Sequence, residues 1–512
     1  MTLCRISPGY RQTVNSPASA PEKTFFGHPR ALVTLFMTEV WERFSFYGMR
    51  AILALFLSAA VLDGGLGLST GTAAAIVGVY NAMVYLAALP GGWLADRVLG
   101  PRRAVLVGAL VIMAGHISMA IPSGAGFVYL GLALIVCGTG LLKPNISSMV
   151  GHLYEHSEAA RRDAGFSLFY MGINLGALSP FIVGALGQKV NYHLGFAIAA
   201  VGMFFGVVQY VAGGKGLRGI GERPAHPLTT AERAGAVKVT VLALAALAVL
   251  ALAALALGVL TLDAVTVFLT VLAIAVPAGY FAYIFLGDHG LTDLERSRMR
   301  AYLWLFLSAA VFWMIFDQAA TTLTIFAATS TDLNVLGWSM PSSWTQNINP
   351  IFIILLAPLV AALWVRLGDR VGTPLKFALA LVLAGLSFVA MALAATAAAG
   401  GVKVSILWLV LVYLIQTVGE LCLSPVGLSV TTRLAPAALG SQMLGVWFLA
   451  VSVGDSVGGQ VARLSDGGSS PAYYLWSGVF AVLVGLVLLL FAPRLRRLMR
   501  EGALDNKRNL SS

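Results

Sequence analysis

The chain has 512 residues, 58% of them hydrophobic and only 11% charged, with a formal net charge of +11 and a mean hydropathy of +0.85. A soluble domain is about half apolar and about a quarter charged, so this composition excludes a water-soluble enzyme, a disordered chain and a nucleic-acid binder. Cys4, Cys137 and Cys422 are too scattered for a disulfide framework or a metal site, and the 55 glycines suit closely packed membrane helices.

Residues 1–30 hold four basic residues with Ser and Pro and no continuous apolar stretch, and are expected to form a disordered cytoplasmic tail. Apolar segments then recur along the chain. A bilayer core about 30 Å thick needs about 20 residues of helix. Fourteen spans fit, near 31–60, 70–95, 103–121, 126–150, 164–187, 192–212, 236–260, 264–286, 301–328, 346–366, 375–397, 404–432, 440–462 and 472–491. The Ala/Leu/Val run at 236–286 breaks only at Thr261-Leu262-Asp263, which predicts a helical hairpin. Residues 493–512 are expected as a second cytoplasmic tail.

With the N-terminus inside, the cytoplasmic segments hold 27 of the 33 Lys and Arg. The opposite face holds only Lys189, Lys403 and Arg463. This asymmetry predicts both termini in the cytoplasm. It also explains the positive charge as topology, so no nucleic-acid partner is needed.

Span 2 ends in Gly91-Gly92-Trp93-Leu94-Ala95-Asp96-Arg97-Val98-Leu99-Gly100-Pro101-Arg102-Arg103. Span 10 ends in Arg366-Leu367-Gly368-Asp369-Arg370-Val371-Gly372-Thr373-Pro374-Leu375-Lys376. Both copies place Asp-Arg, then Gly, Pro and a basic residue, in a turn on the same face. They resemble the loop signature of the major facilitator superfamily. That resemblance implies an all-α polytopic membrane protein with two six-helix bundles, 31–212 and 299–492, and a substrate site between them near the midplane. Linkers and the inserted hairpin 236–286 would occupy 213–298.

Span 1 carries Glu39, Glu42, Arg43 and Arg50. A charge at the centre of a lone helix costs about 2.5–3.5 kcal/mol, so these four need partners or a wet cavity. Positions 39, 43, 46 and 50 fall on one stripe at about 100° per residue, with Glu42 and Tyr47 beside it. Glu39 and Arg43 form an i,i+4 pair, which leaves Arg50 without a local partner.

The run Glu39-Val40-Trp41-Glu42-Arg43-Phe44-Ser45-Phe46-Tyr47 resembles the E-x-x-E-R-F-x-Y-Y signature of the proton-coupled oligopeptide transporter (POT) family. Phe169-Tyr170-Met171-Gly172-Ile173-Asn174-Leu175-Gly176 is similar to its span-5 motif, and Gly419-Glu420-Leu421-Cys422-Leu423-Ser424-Pro425-Val426-Gly427-Leu428-Ser429 to that of the tenth core helix. Lys143-Pro144-Asn145 fits in span 4, and the hairpin resembles the two inserted helices of prokaryotic members.

The resemblance implies a symporter that imports di- and tripeptides with protons by alternating access, in a bacterial inner membrane. The expected partners are such a peptide, protons and the bilayer. It is expected to act as a monomer, not an enzyme, with protons as coupling ion and no cofactor. A dipeptide zwitterion needs a fixed anion and fixed cations across one cavity. Glu420 suits its ammonium; Arg43, Arg50 and Lys143 suit its carboxylate, since an arginine fork binds both oxygens. Tyr47 or Tyr80 adds a hydroxyl, and Asn174 and Asn349 can bond the peptide amide. Asn174 equally suits helix–helix bonding, and Asn349, before Pro350, a kink. Trp313 and Trp447 read as pocket walls or as packed core.

Proton coupling needs a carboxyl group that alternates between water and a cation. The candidates are Glu39, Glu42, Asp317 and Glu420, set against Arg43, Arg50 and Lys143. The resemblance implies that Arg50 pairs with Asp317 and Lys143 with Glu420 across the two halves. Phe46 replaces the signature's first tyrosine, Asp317 stands where glutamate is usual, and Gly78 where some animal members carry a histidine. Asp455 lies in span 13, where no acid is expected; it reads as a residue of the wet outer mouth or as a further proton site. A same-fold carrier of nitrate, a drug or another small anion is the alternative, though an anion carrier has no evident need for Glu420.

Overall fold

The computed structural model describes residues 24–25, 27–154, 159–287, 290–335, 337–368, 371–436, 439–465, 467 and 470–509. Most of the expected N-terminal tail lies outside these residues, as do Asp369 and Arg370 of the second loop copy. Within the tail, Thr24 and Phe25 pair with Pro29 and His28 in a two-residue antiparallel turn.

The first half contains α1 (Ala31–Ser58), α2 (Thr70–Leu86), α3 (Ala88–Leu94), α4 (Pro101–Ala120), α5 (Ala125–Leu153), α6 (Ala159–Gly176), α7 (Val183–Lys189) and α8 (Tyr192–Ala212). The hairpin is α9 (Thr230–Ala256) and α10 (Leu262–Leu286). The second half contains α11 (Asp293–Phe316), α12 (Thr322–Ser330), α13 (Ile348–Leu367), α14 (Thr373–Ala397), α15 (Leu407–Leu434), α16 (Gly440–Leu464) and α17 (Pro471–Asn509). Thirteen helical segments among the described residues are long and apolar enough to cross a membrane. With α1, whose four charges set it apart, they make fourteen spans, and the chain is a multi-pass membrane protein.

Local chemistry sets several boundaries. Thr229 with Glu232 and Thr292 with Glu295 form capping boxes that start α9 and α11. Both repeated loops turn at a glycine with positive φ, Gly100 at 78° and Gly368 at 50°, and resume helix with a proline in its first turn. Gly258, at φ 68°, turns the hairpin, and Thr261 caps α10. α17 continues as helix to Asn509, where a tail was expected from 493.

Two spans expected as continuous are broken. The fifth passes through a 3-10 turn at Ser179–Phe181, where Pro180 interrupts the hydrogen-bond ladder. The ninth breaks without proline at Asp317–Ala320. Broken helices at membrane depth are tolerated where protein or a polar cavity satisfies the freed backbone. Here the break carries Asp317, which faces the other half of the molecule.

α1 packs on α8 and α6, and α4 on α5 and α8; in the second half α14 packs on α17 and α15, and α11 on α16. α2 and α16 pack against each other and form the seam between the halves. α9 is exposed along nearly its whole length. α10 buries Thr266, Thr270, Ala273, Pro277, Phe281 and Ile284, one helical stripe, against α16 and α2.

Candidate functional site

The charged stripe of α1 is enclosed. Glu39, Glu42 and Arg43 are all buried. Arg43 reaches its sequence neighbour Glu42 with both arms of its fork, Nε donating to Oε2 at 2.5 Å and Nη2 to Oε1 at 2.7 Å. Its approach to Glu39 is looser, at 3.4 Å, and Glu39 Oε2 has no hydrogen-bond partner. Two carboxyl groups therefore share one guanidinium. Arg43 also lies 4.9 Å from the ring centre of Phe46 and 5.8 Å from that of Tyr47. The aromatic face replaces the missing hydroxyl at 46 with a cation–π contact. Phe46 stacks in turn on Tyr80, at 6.3 Å between rings; the Tyr80 hydroxyl is buried without a partner.

The glycines of the α6 motif explain how this stripe is covered. A Cβ on Gly176 would lie 2.5 Å from Arg43 Cβ, and one on Gly172 would lie 3.0 Å from the Phe36 ring. Only glycine lets α6 come this close to α1. Asn174, between them, is half-buried and donates to Tyr170 O of its own helix at 3.1 Å. The bonding between helices read for Asn174 is not what its amide does here.

Farther along α1, Arg50 pairs with Asp317 across the two halves. The Asn81 carbonyl accepts from Arg50 Nε and Nη2, both at 3.2 Å. On α15, Glu420 accepts from Asn349 Nδ2 at 3.0 Å, and the same amide donates to Thr417 at 3.0 Å. Pro350 sits in the first turn of α13, where its missing N–H costs nothing. Asn349 thus orients a carboxylate instead of relieving a kink.

Lys143, beside Pro144 on α5, lies 4.5 Å above the Tyr85 ring and 5.9 Å from that of Phe448. The implied Lys143–Glu420 pair is not among the ion pairs of the described residues. The physical reason is that each group already has a local partner: an aromatic face for the cation, an amide for the carboxylate. Trp313 is half-buried against Phe312 and Phe316 and borders the narrow cavity at Asp317. Trp447 corrects the pocket-wall reading, for it is buried in the second-half core against Phe377, 6.1 Å away. Gly427, within the α15 motif, leaves room for that indole: a Cβ there would lie 2.1 Å from it. Asp455 is buried, so its placement at a wet outer mouth is also corrected.

Several residues outside the motifs hold the halves together at the end of α1 that carries Arg50. Gln188 donates to Ser342 at 2.8 Å and accepts from Ser343 N at 2.9 Å. Gln346 donates to Ala51 O at 3.4 Å. Ser452 donates to Ala82 O at 2.9 Å. Phe181 and Trp344 meet edge to face at 4.8 Å. The sequence signal for these was slight: a polar side chain such as Asn81 or Gln346 within or beside an apolar run. Together these contacts close the gap between the halves at this end. On α6, Tyr170, Met171 and Leu175 stay exposed.

Two helical bundles joined at one seam, with opposite charges contributed from both sides, define a major facilitator–type carrier. The chain belongs to the POT family, whose model matches residues 102–476. It is 45% identical to the uncharacterised transporter YclF of Bacillus subtilis (strain 168), over 94% of this chain and 97% of that one. It is 42% identical to a di-/tripeptide transporter of Lactococcus lactis subsp. cremoris, over 94% of this chain and 98% of that one. A crystal structure of a peptide transporter POT in complex with sulfate superposes with a TM-score of 0.90 at 48% identity, covering 94% of this chain and 98% of that chain. A POT family transporter in complex with 5-aminolevulinic acid gives a TM-score of 0.88 at 37% identity, covering 93% and 98%.

Proposed function

We propose that this protein is a proton-coupled symporter that imports di- and tripeptides by alternating access. The observation that carries the reading is the opposition of charges between the halves. Arg43, Arg50 and Lys143 stand on the first half, and Glu420, oriented by Asn349, on the second. A peptide can use its carboxylate on the cations and its ammonium on Glu420. Substrate then draws the two halves together, and binding biases which side opens. The di-/tripeptide transporter and the peptide transporter among its relatives agree with this substrate class.

Coupling follows from the same groups. Arg43 serves two carboxyl groups, Glu39 and Glu42, so a proton on one of them leaves the other fully paired. Protons are the only coupling ion in this reading, and no cofactor takes part. The chain works as a monomer with both termini in the cytoplasm, in a bacterial inner membrane, and it carries out transport and no catalysis. The positive-inside distribution of Lys and Arg supports the orientation.

The test is uptake of labelled dialanine into liposomes holding the purified protein, with and without an inward proton gradient. Accumulation only with the gradient, competed by di- and tripeptides but not by free alanine, is the expected result. Absence of gradient-driven uptake of several such peptides by folded protein would shift the reading to another small solute. 5-Aminolevulinic acid, an amino-carboxylate like a peptide's two ends, is the first competitor to include.

A further inference from the structure

Asp455 is a buried ionisable group that the transport scheme above leaves unused. It stands on α16 and is 4% exposed, and neither of its carboxyl oxygens has a hydrogen-bond donor. It borders a narrow cavity with Asn81, Trp313, Asp317 and Gln318. Gly78 closes one wall, because α2 presses its α-carbon against the Asp455 backbone.

The charged groups around it can be counted by element. From α1 comes Arg50, already paired with Asp317 from the break after α11. From α2 come the neutral Asn81 and Tyr85, whose ring carries Lys143 of α5. From α10, Asp263 is bound to Arg463 of α16, at 3.2 Å. On α15, Glu420 is bound to Asn349. One close guanidinium therefore faces two carboxyl groups. Asp317 takes the ion pair. An ionised Asp455 would be a second buried negative charge with no donor, which protein interiors tolerate poorly. Asp455 and Asp317 line the same narrow cavity. Two carboxylates only accept, so a hydrogen bond between them requires a proton.

We propose that Asp455 and Asp317 form a carboxyl pair that binds one coupling proton while the outer side is closed, with Arg50 neutralising the remaining charge. Loss of the proton leaves two carboxylates competing for one guanidinium. Repulsion between them loosens the Arg50–Asp317 tie and favours the outward-open state. Protonation restores the tie. Peptide binding and proton binding therefore favour the same closure, at a site separate from the Glu39/Glu42/Arg43 group.

This inference rests on the proton-driven reading above, and the experiment separates the two. Dialanine uptake by wild type in liposomes tests that reading alone. The ratio of protons to dialanine, from the reversal potential, then tests Asp455→Asn. Dialanine exchange, which needs no net proton movement, reports whether the variant is folded. The expected result is a ratio lower by one proton and a flattened pH profile of exchange. An unchanged ratio with an unchanged profile overturns the proposal. Infrared spectroscopy of the purified protein decides the matter without transport. The protonated-carboxyl band should lose one group's absorbance in Asp455→Asn. It should lose the same in Asp317→Asn, where Asp455 inherits Arg50 and ionises. A band of full amplitude in either folded variant overturns the proposal, and Asp317→Asn keeps the test open if Asp455→Asn does not fold.

Discussion

Gly78 of α2 meets the backbone of Asp455 on α16 so closely that a Cβ at 78 would lie 2.5 Å from the Asp455 carbonyl oxygen. Gly459 repeats the contact from the other side: a Cβ there would lie 3.2 Å from the Gly78 α-carbon. The seam between the halves is thus built backbone to backbone, and the position cannot carry the histidine of some animal relatives. Gly78→Val should force the helices apart. Overpacking of this kind costs about 1–3 kcal/mol, and dialanine uptake should fall at least about tenfold. Gly92→Ala, with open space around it, is the control and should transport normally.

The Arg50–Asp317 pair ties α1 to the break in the ninth span. Arg50→Gln removes the tie and leaves the carboxyl groups of Asp317 and Asp455 without a cation. Gradient-driven uptake should be lost. A thiol placed at Trp344, whose ring meets Phe181 between the halves, should become more reactive, because the tie that holds the halves together at this end is gone. Unchanged labelling would remove Arg50 from the gate.

Glu420→Gln keeps the shape of the side chain and its place beside Asn349 but removes the charge. Truncating one partner of a buried charge pair costs about 2–5 kcal/mol. The apparent KM for dialanine should therefore rise at least about thirtyfold. Asn349→Ala leaves the charge and loosens its orientation, so its KM should rise less. Equal KM values for Glu420→Gln and wild type would exclude an ammonium contact.

Thr292 and Glu295 satisfy the first turn of α11, with Thr292 Oγ1 accepting from Glu295 N at 3.2 Å and Glu295 Oε2 from Thr292 N at 3.0 Å. Thr292→Ala should cost about 1 kcal/mol of stability, read as a lower unfolding temperature in detergent. Transport should persist, since the cap lies away from the charged groups.

The helices were legible because a bilayer asks for one simple pattern, repeated apolar runs of sufficient length. The charged stripe of α1 was legible for the complementary reason: charge at that depth is costly enough to stand out. The break at Asp317 was not legible, because no proline or glycine marks it and the freed backbone is satisfied by tertiary surroundings. Trp447 and Asn174 were ambiguous for a related reason. An aromatic or an amide on an apolar helix has the same sequence signature whether it faces a core, a neighbour or a cavity.

The seam residues show the limit most clearly. Gln188, Gln346 and Ser452 join segments between 154 and 370 residues apart in the chain. A single polar side chain carries no record of a partner so distant. The sequence by itself determined the number of spans, their orientation signal and the family, because these depend on local composition and on motifs that are contiguous in the chain. Only the tertiary structure decided which carboxyl groups share a cation, that Lys143 rests on an aromatic face, and that Asp455 is shut in beside Asp317. Those outcomes depend on distances between helices, and close approach at glycines such as Gly78 and Gly176 sets those distances.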